Sequence, residues 1–492
     1  MMTSRMTSVT VYDTLSRSVR EIEMSDDAEV RIYCCGPTVY RDAHLGNLRT
    51  FLLSDIVRRT LEYKGHRVRV VQNITDVGHM SEDFDEDKIL SESKSTKRDP
   101  FEIAREYEAK FHQDLERLNV IPADAYPRAS ECIEMMHDHI QLLMDKGLAY
   151  LGDDSNVYFD SERFQSYGAI SGNRLIDLKP GHRYEFTEAG AKRFHADWAL
   201  WKAAGNRREM IWDSPWGPGF PGWHIECSAM SLHFLHGHVD LHIGGIDLRF
   251  PHHENERAQS NPVIDQRSDV DSDVDEAVDL WLHGEHLLFE GRKMSKSAGN
   301  VVLLSDVIAR GFDPLSVRFA LMENRYRSQM DLSWDSIAAA DRVLDRWRTI
   351  AAHIDTTSIS PSKSPSISKA SQKQLSSAME KVRDEIVAHF ATDLDSPRAL
   401  QRLRILEKDK EISIEEKAAL LHLIDPLLGL DLTTPPRESL RQLTEQEERL
   451  LEQRIQARKD RDFTESDRIR DLLSQTGIEV RDLPDGQEWH WR

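Results

Sequence analysis

Apolar positions follow two periods along the chain, and the switches between them mark out its elements. Val30 to Cys35 is a short run of β type, ended by Gly36-Pro37. From Asn47 onward Leu48, Phe51, Leu52, Ile56, Val57 and Leu61 recur at helical spacing, Gly65 stops the helix, and Val68 to Gln72 reads as a second strand. Strand, glycine-bearing loop, helix, strand is the opening of a doubly wound sheet. A helical pattern runs from Phe101 to Lys146. A turn-rich stretch of short strands follows, around Tyr158 to Lys202, and reads as an insertion. The sheet pattern then resumes: Gly222 to Leu235 is helical, Val239 to Ile243 is a strand, and Pro251 opens a helix where its missing N–H costs nothing. Helical segments Ile337 to Ile354 and Leu375 to Leu430 flank a Ser- and Pro-rich linker, Asp355 to Lys373, which lacks the apolar residues to bury a core. A charged helix, Glu445 to Leu473, and a short strand at Gly477 to Val480 end the chain. There are no internal repeats.

Composition narrows the class. A length of 492 residues with 39% apolar and 30% charged positions implies several cores rather than one. No apolar run approaches the roughly 18 residues of a membrane span, so no membrane partner is expected. Met1 to Thr10 carries no apolar stretch of the secretory type. Cysteine occurs only at Cys34, Cys35, Cys132 and Cys227, too few for a disulfide scaffold, which points to a reducing, cytoplasmic setting. The net charge of −21 argues against loose, charge-driven binding of nucleic acid but leaves room for a local RNA-binding surface. The acidic stretch Asp265 to Asp279 reads as a solvated loop.

Two separated motifs suit phosphate chemistry. Tyr40-Arg41-Asp42-Ala43-His44-Leu45-Gly46-Asn47 sits between a strand and a helix N-terminus, where free N–H groups and the helix dipole favour an anion. His44 can donate to a phosphate, and Gly46 lets a nucleotide approach the backbone. Lys293-Met294-Ser295-Lys296-Ser297-Ala298-Gly299-Asn300 places Lys293 and Lys296 among small polar residues. Such lysines stabilise charge that builds on the β- and γ-phosphates as pyrophosphate leaves. Cys35, Cys227, His252 and Glu256 form a third constellation: two thiolates, an imidazole and a carboxylate suit Zn²⁺. Spacing alone leaves His253 and Glu254 as competing ligands. Cys34 and Cys35, as strand neighbours, must point to opposite faces. Cys132 reads as a core residue.

The lysine motif matches at all five positions the Lys-Met-Ser-Lys-Ser signature of class I aminoacyl-tRNA synthetases. The histidine motif resembles their His-Ile-Gly-His, with Leu45 and Asn47 as departures. With Tyr33 to Tyr40, Asn73-Ile74-Thr75-Asp76, Gly222 to Ser228 and Phe250 to Glu256, the chain resembles the cysteinyl-tRNA synthetases along nearly its whole length. Two features depart from that pattern: many members carry three glycines after the residue matching His242, where this chain reads Ile243-Gly244-Gly245, and the acidic Asp265 to Asp279 is an insertion.

The resemblance implies a Rossmann-like α/β catalytic domain, split as 1–125 and 206–290 by a connective insertion at 126–205. It implies a signature-loop and stem-contact region at 291–335, a helical bundle at 336–440 and an anticodon-binding unit at 441–492. It implies a zinc held by Cys35, Cys227, His252 and Glu256, and an amino-acid pocket lined by Thr75, Trp223 and His242. ATP would be bound by His44, Gly46, Asn47 and Lys296, with Mg²⁺. The partners are ATP, L-cysteine and the cognate tRNA for cysteine, with His44, Asn47, Lys293 and Lys296 serving catalysis. A zinc–thiolate bond separates cysteine from serine better than size can. The rivals are a cysteine:amino-sugar ligase of the same superfamily, which lacks an anticodon region, and a non-enzymatic RNA-binding or zinc-structural protein.

Overall fold

The computed structural model describes residues 8–23, 29–77, 87–178, 191–264, 276–294, 299–353, 375–436, 445–475, 478–483 and 486–491. Lys296 and the Ser-rich linker 355–373 lie outside these residues, as does the acidic stretch up to residue 275.

Four parallel strands form the central sheet, in the order Val278–Gly284, Val239–Gly245, Val30–Cys34, Val68–Gln72. The chain lays the first two strands outward in one direction and the last two in the other. The reversal therefore falls between Val30–Cys34 and Val239–Gly245, whose register pairs Tyr33 with His242 and Cys34 with Ile243. In such sheets a crevice opens beyond the carboxyl ends of the strands at this point. Strand alternation sends Ile32, Cys34, Leu241, Ile243, Leu280 and Leu282 into one core. Tyr33, Cys35, Val71 and Trp281 enter a second core on the opposite face. The helix Leu45–Tyr63 covers the first face, and Ile133–Asp145 and Trp223–Phe234 belong with the second.

Several elements differ from the sequence pattern. The helical stretch from Phe101 to Lys146 is two helices, Pro100–Arg117 and Ile133–Asp145. Between them Asn119 turns left-handed (φ 52°). The segment around Ala125 then runs beside the sheet edge, with Gln72 N donating to Ala125 O and Ile74 N to Pro127 O. Prolines at 122 and 127 explain why helical periodicity is not realised there. Phe250 is extended (φ −143°, ψ 133°), and helical winding opens at Pro251, where the sequence places it, continuing as regular α-helix from Glu254. The C-terminal helix is also two, Glu445–Lys459 and Phe463–Gln475, broken where Arg461 is left-handed. The end of the acidic stretch is structural rather than loop: Glu276 pairs with Arg257, and Val278 starts a sheet strand. A hairpin at Thr10–Asp13 and Ser18–Glu21, unmarked by any strong pattern, docks on that strand through Thr14 N to Trp281 O.

The turn-rich region forms its own antiparallel sheet, Ala149–Leu151, Val157–Phe159, Trp198–Ala203 and Gly219–Pro221. Downstream, Trp334–Ala351, Ser377–Ala391, Ser396–Lys408 and Ile414–Leu428 share the first core with the sheet. The last unit packs its two helices and the hairpin Ile478–Leu483/Gly486–Trp491 around Leu451, Ile469, Leu473 and Ile478. Trp489 packs against that core.

One buried ionic knot joins sheet domain and bundle. Asp55 on the first helix meets Arg59 at 2.7 Å and Arg318 at 2.6 Å, and Arg318 donates to the carbonyls of Leu428 and Leu118. Burial opposes the Asp55 charge, but Arg59 and Arg318 outweigh it and hold its pKa below the ordinary value. Arg318→Ala strands part of this charge and is expected to cost about 3–5 kcal/mol, read as a lower midpoint in thermal unfolding. The contribution is present above the ordinary carboxylate range, near pH 4, and fades as pH falls through the lower folded-state value. An unchanged midpoint would show that the knot is dispensable.

Candidate active site and metal centre

The crevice at the reversal is lined by polar side chains that the fold buries together. Cys35 lies one residue past its strand, its N–H bonded to Ile243 O at 3.1 Å. Its neighbour Cys34 points into the opposite core, where burial pushes its thiol up to about 12. Around the Cys35 Sγ stand Cys227 Sγ at 3.9 Å, His242 Nε2 at 3.5 Å, His253 Nε2 at 3.4 Å and Glu256 Oε1 at 3.8 Å. His252 Nε2 lies 3.0 Å from Glu256 Oε1. The structure therefore offers two overlapping donor sets, Cys35–Cys227–His252–Glu256 and Cys35–His242–His253–Glu256.

Local sequence explains the convergence. His252 and Glu256 are four apart and so share a helical face. Cys227 projects from the helix Trp223–Phe234, which follows the strand Gly219–Pro221 directly. Gly244 is required because a Cβ there would lie 2.4 Å from the His253 ring. Outer partners orient the imidazoles: His252 Nδ1 is 2.8 Å from His224 Nδ1, and His253 Nδ1 is 2.8 Å from His283 Nε2, whose Nδ1 meets Thr14 Oγ1. Metal sites depend on such partners to fix ring orientation.

Burial first, then neighbouring cations and imidazoles, keeps this cluster neutral. His242, His224 and His283 are pulled down to about 3, and His253 also falls. Neutral imidazole is the form that binds metal. Glu256 Oε2 and His242 Nδ1 are buried without hydrogen-bond partners. A fully buried carboxylate oxygen beside two thiols needs a proton or a cation, so the donor set fits a soft divalent metal.

The remaining pocket residues adjoin this cluster. Trp223 stacks on His252 with ring centroids 4.2 Å apart. His242 lies between Tyr33 and Trp281, at 5.1 and 4.6 Å. Thr75 donates to Glu226 Oε2 at 3.0 Å, and Glu226 Oε1 has no hydrogen-bond partner. Glu226, His224 and His283 join the site without having been assigned to it from the sequence, and His253, a competing ligand by spacing, lies within it. Glu226 and His224 stand inside the Gly222–Ser228 motif, but His283 has no local signal.

At the other side of the crevice, the histidine motif is a helix cap. His44 Nδ1 accepts from Asn47 N at 3.2 Å, and Asn47 Oδ1 accepts from His44 N at 3.2 Å. Burial, reinforced by Arg41, lowers the His44 pKa. With Nδ1 accepting, the proton of the neutral ring resides on Nε2, leaving one defined donor. The cap also explains Asn47: its side chain serves the helix start as well as any ligand. The lysine motif meets this turn, since Leu45 N bonds to Val302 O at 3.0 Å and a Cβ on Gly46 would lie 3.3 Å from Met294 Cε. Lys293 is exposed at the end of the short strand Arg292–Lys293, and its carbonyl accepts from Asn300 Nδ2.

Comparisons with known proteins bear on the family and the fold. Residues 21–342 match the family model for the class I (C) tRNA synthetase catalytic domain, and residues 440–490 match the cysteinyl-tRNA ligase anticodon binding domain. The chain is 38% identical over 502 aligned residues to the cysteine–tRNA ligase of Thermus thermophilus, covering 97% of this chain and 98% of that one. It is 35% identical to that of Treponema denticola, covering 98% and 99%. In fold it resembles Mycobacterium tuberculosis methionyl-tRNA synthetase bound by methionyl-adenylate, with TM-score 0.53, 13% identity and coverage of 82% and 92%.

The donor sets predict one tightly bound divalent metal per chain, measurable by elemental analysis. Cys227→Ala should lose it and Cys34→Ala should keep it. His252→Ala against His253→Ala separates the two sets: whichever variant retains metal names the imidazole that is not a ligand.

Proposed function

Because the chain belongs to the cysteinyl-tRNA synthetase family of class I, we propose that it joins L-cysteine to its cognate tRNA through cysteinyl-adenylate. The cysteine carboxylate attacks the α-phosphorus of ATP and pyrophosphate leaves. The terminal adenosine hydroxyl of the tRNA then attacks the acyl carbon and AMP leaves. The observation that carries this reading is a buried cluster of two thiols, an imidazole and a carboxylate beside the stacked Trp223 and His252 rings, in the same domain as a capped helix N-terminus at His44.

In this reading Cys35, Cys227, His252 and Glu256 hold Zn²⁺, with His253 as a positioning group. Zinc, when bound, supplies a soft Lewis-acid position that prefers the thiolate of cysteine to the hydroxyl of serine. Trp223 and His242 contact the cysteine side chain, and Thr75 orients the bound amino acid. His44 donates from Nε2 and Asn47 from its amide to phosphate oxygens, at the N-terminal end of the helix Leu45–Tyr63, whose dipole favours an anion. Gly46 keeps the backbone accessible to the nucleotide, which arrives with Mg²⁺. Lys293 and Lys296 meet the charge that develops on the leaving pyrophosphate. The protein forms no covalent intermediate; it positions reactants and stabilises charge.

The unit 441–492 serves the anticodon end of the tRNA. Its cations are largely paired, Arg454 and Arg458 with Asp482 and Arg468 with Glu465, so shape and base contacts dominate over a broad phosphate grip. No observation favours the amino-sugar ligase, and the match over residues 440–490 speaks against it. Cytoplasmic residence is the setting that suits this chemistry and four reduced cysteines.

Cysteine-dependent ATP–pyrophosphate exchange, followed by charging of bulk tRNA, tests the proposal. Absence of exchange with cysteine, in metal-replete protein, would refute it. Lys296→Ala should lower kcat for adenylate formation by roughly 10² or more with little change in cysteine KM. Removal of 444–492 should leave exchange nearly intact and raise the tRNA KM strongly. A truncated chain that charges tRNA normally would remove the anticodon role.

A further inference from the structure

Arg49 lies on the helix Leu45–Tyr63, two residues beyond Asn47, and is buried. Its guanidinium donates to main-chain carbonyls. Nη1 donates to Glu285 O at 2.7 Å and His286 O at 2.8 Å. Nη2 donates to Arg325 O at 3.2 Å, Tyr326 O at 3.3 Å and Ser328 O at 2.8 Å. These carbonyls belong to two segments that each lead into a strand. Glu285-His286 runs into Leu287–Phe289, and Arg325 to Ser328 leads into Met330–Leu332. The two strands pair in parallel, and the segments before them are joined by Glu285 N to Tyr326 O at 2.8 Å and Met330 N to His286 O at 3.2 Å. The strand Leu287–Phe289 also pairs antiparallel with Arg292–Lys293, setting Leu288 opposite Lys293. Arg49 thus grips the root of the hairpin that ends in Lys293. The second segment is braced from the bundle side, where Asp393 accepts from Arg327 Nε at 2.8 Å, Arg325 Nη1 at 3.3 Å and the Tyr326 hydroxyl at 2.6 Å.

The far flank of the lysine motif is tied to the same helix, since Leu45 N donates to Val302 O at 3.0 Å and His44 bridges to Leu303. The first turns of one helix therefore hold the chain on both sides of the motif. At the entry side the tie is a single side chain. A guanidinium suits that place because its planar fork addresses several carbonyls at fixed angles, whereas an ammonium is a point charge and an apolar chain of similar length would fill the space without joining the segments. We propose that Arg49 is a positioning residue for adenylate formation: it fixes the hairpin carrying Lys293 at a set distance from the phosphate turn of His44, Gly46 and Asn47. This rests on the ligase reading given above and adds to it a residue that acts through Lys293 rather than on the substrates. The charge that Lys293 meets develops only as pyrophosphate leaves, so a hairpin held loosely costs the first step and spares the second. A shift of about 1 Å in such a group is enough to cost on the order of 10² in rate.

The full chain, loaded with metal, serves for the test, with rates referred to sites counted by tightly bound cysteinyl-adenylate so that unfolded protein does not enter them. Arg49→Lys keeps the charge and loses the fork. It should lower kcat for cysteine-dependent pyrophosphate exchange by roughly 10- to 100-fold while cysteine KM and bound metal stay within about twofold of the parent. Transfer of cysteine from preformed adenylate to tRNA, followed in a single turnover, should also stay within about twofold. Arg49→Met, which fills the space without a donor, should show the same split. In a Lys293→Ala background Arg49→Lys should cost little more, because both changes remove one function. Unchanged exchange in Arg49→Lys overturns the proposal. So does a loss that multiplies in full with that of Lys293→Ala, or one that falls equally on the transfer step, since a merely structural arginine gives those results. Failure of the parent chain itself to exchange with cysteine would instead strike the ligase reading, and is seen before any variant is made.

Discussion

The structure depends on one topological constraint: the parallel sheet reverses its winding between Val30–Cys34 and Val239–Gly245. At a reversal the crossovers leave in opposite directions, and no connection covers the carboxyl ends of the two strands. Into that gap the fold delivers Cys35 from one strand, the glycines after His242 from the other, and Cys227, His252 and Glu256 from the elements that follow. Every site distance reported above depends on that gap staying open between two well-filled cores. The knot of Asp55, Arg59 and Arg318 braces the same helix whose first turn carries His44 and Gly46, so the bundle's packing and the phosphate turn are mechanically one piece.

The arrangement also explains how acid–base sensitive groups persist in a buried place. Five imidazoles and two carboxyls stand together, buried or half-buried. Burial keeps the imidazoles neutral, and pairwise bonds such as His252 to His224 and His253 to His283 fix their rings. Neutral, oriented nitrogen donors beside thiols are what a soft metal requires, whereas an apolar core of the same volume would gain stability and lose the site.

Much of the frame was legible in the chain because local signals and tertiary fold agree. Strand Val68–Gln72 and the helix after His44 follow their periodicity, and the alternation rule separated Cys34 from Cys35. The gaps have physical causes. Helical periodicity from Phe101 to Lys146 was overridden by prolines and by a sheet edge that needed a neighbour at Ala125. His283 carries no short-range pattern; only register and crossover bring it to the crevice. The capping role of Asn47 was likewise hidden, since a departure from a motif says nothing about what the replacement does locally.

The central claim is that the buried cluster selects the substrate by its sulfur. It is tested most directly by measuring pyrophosphate exchange with cysteine and with serine on the same sample, before and after metal removal and after reloading with zinc. The account predicts cysteine-dependent exchange that falls with the metal, returns with zinc in proportion to bound metal, and is negligible with serine throughout. Exchange with cysteine that survives complete metal removal with its preference over serine intact would contradict it.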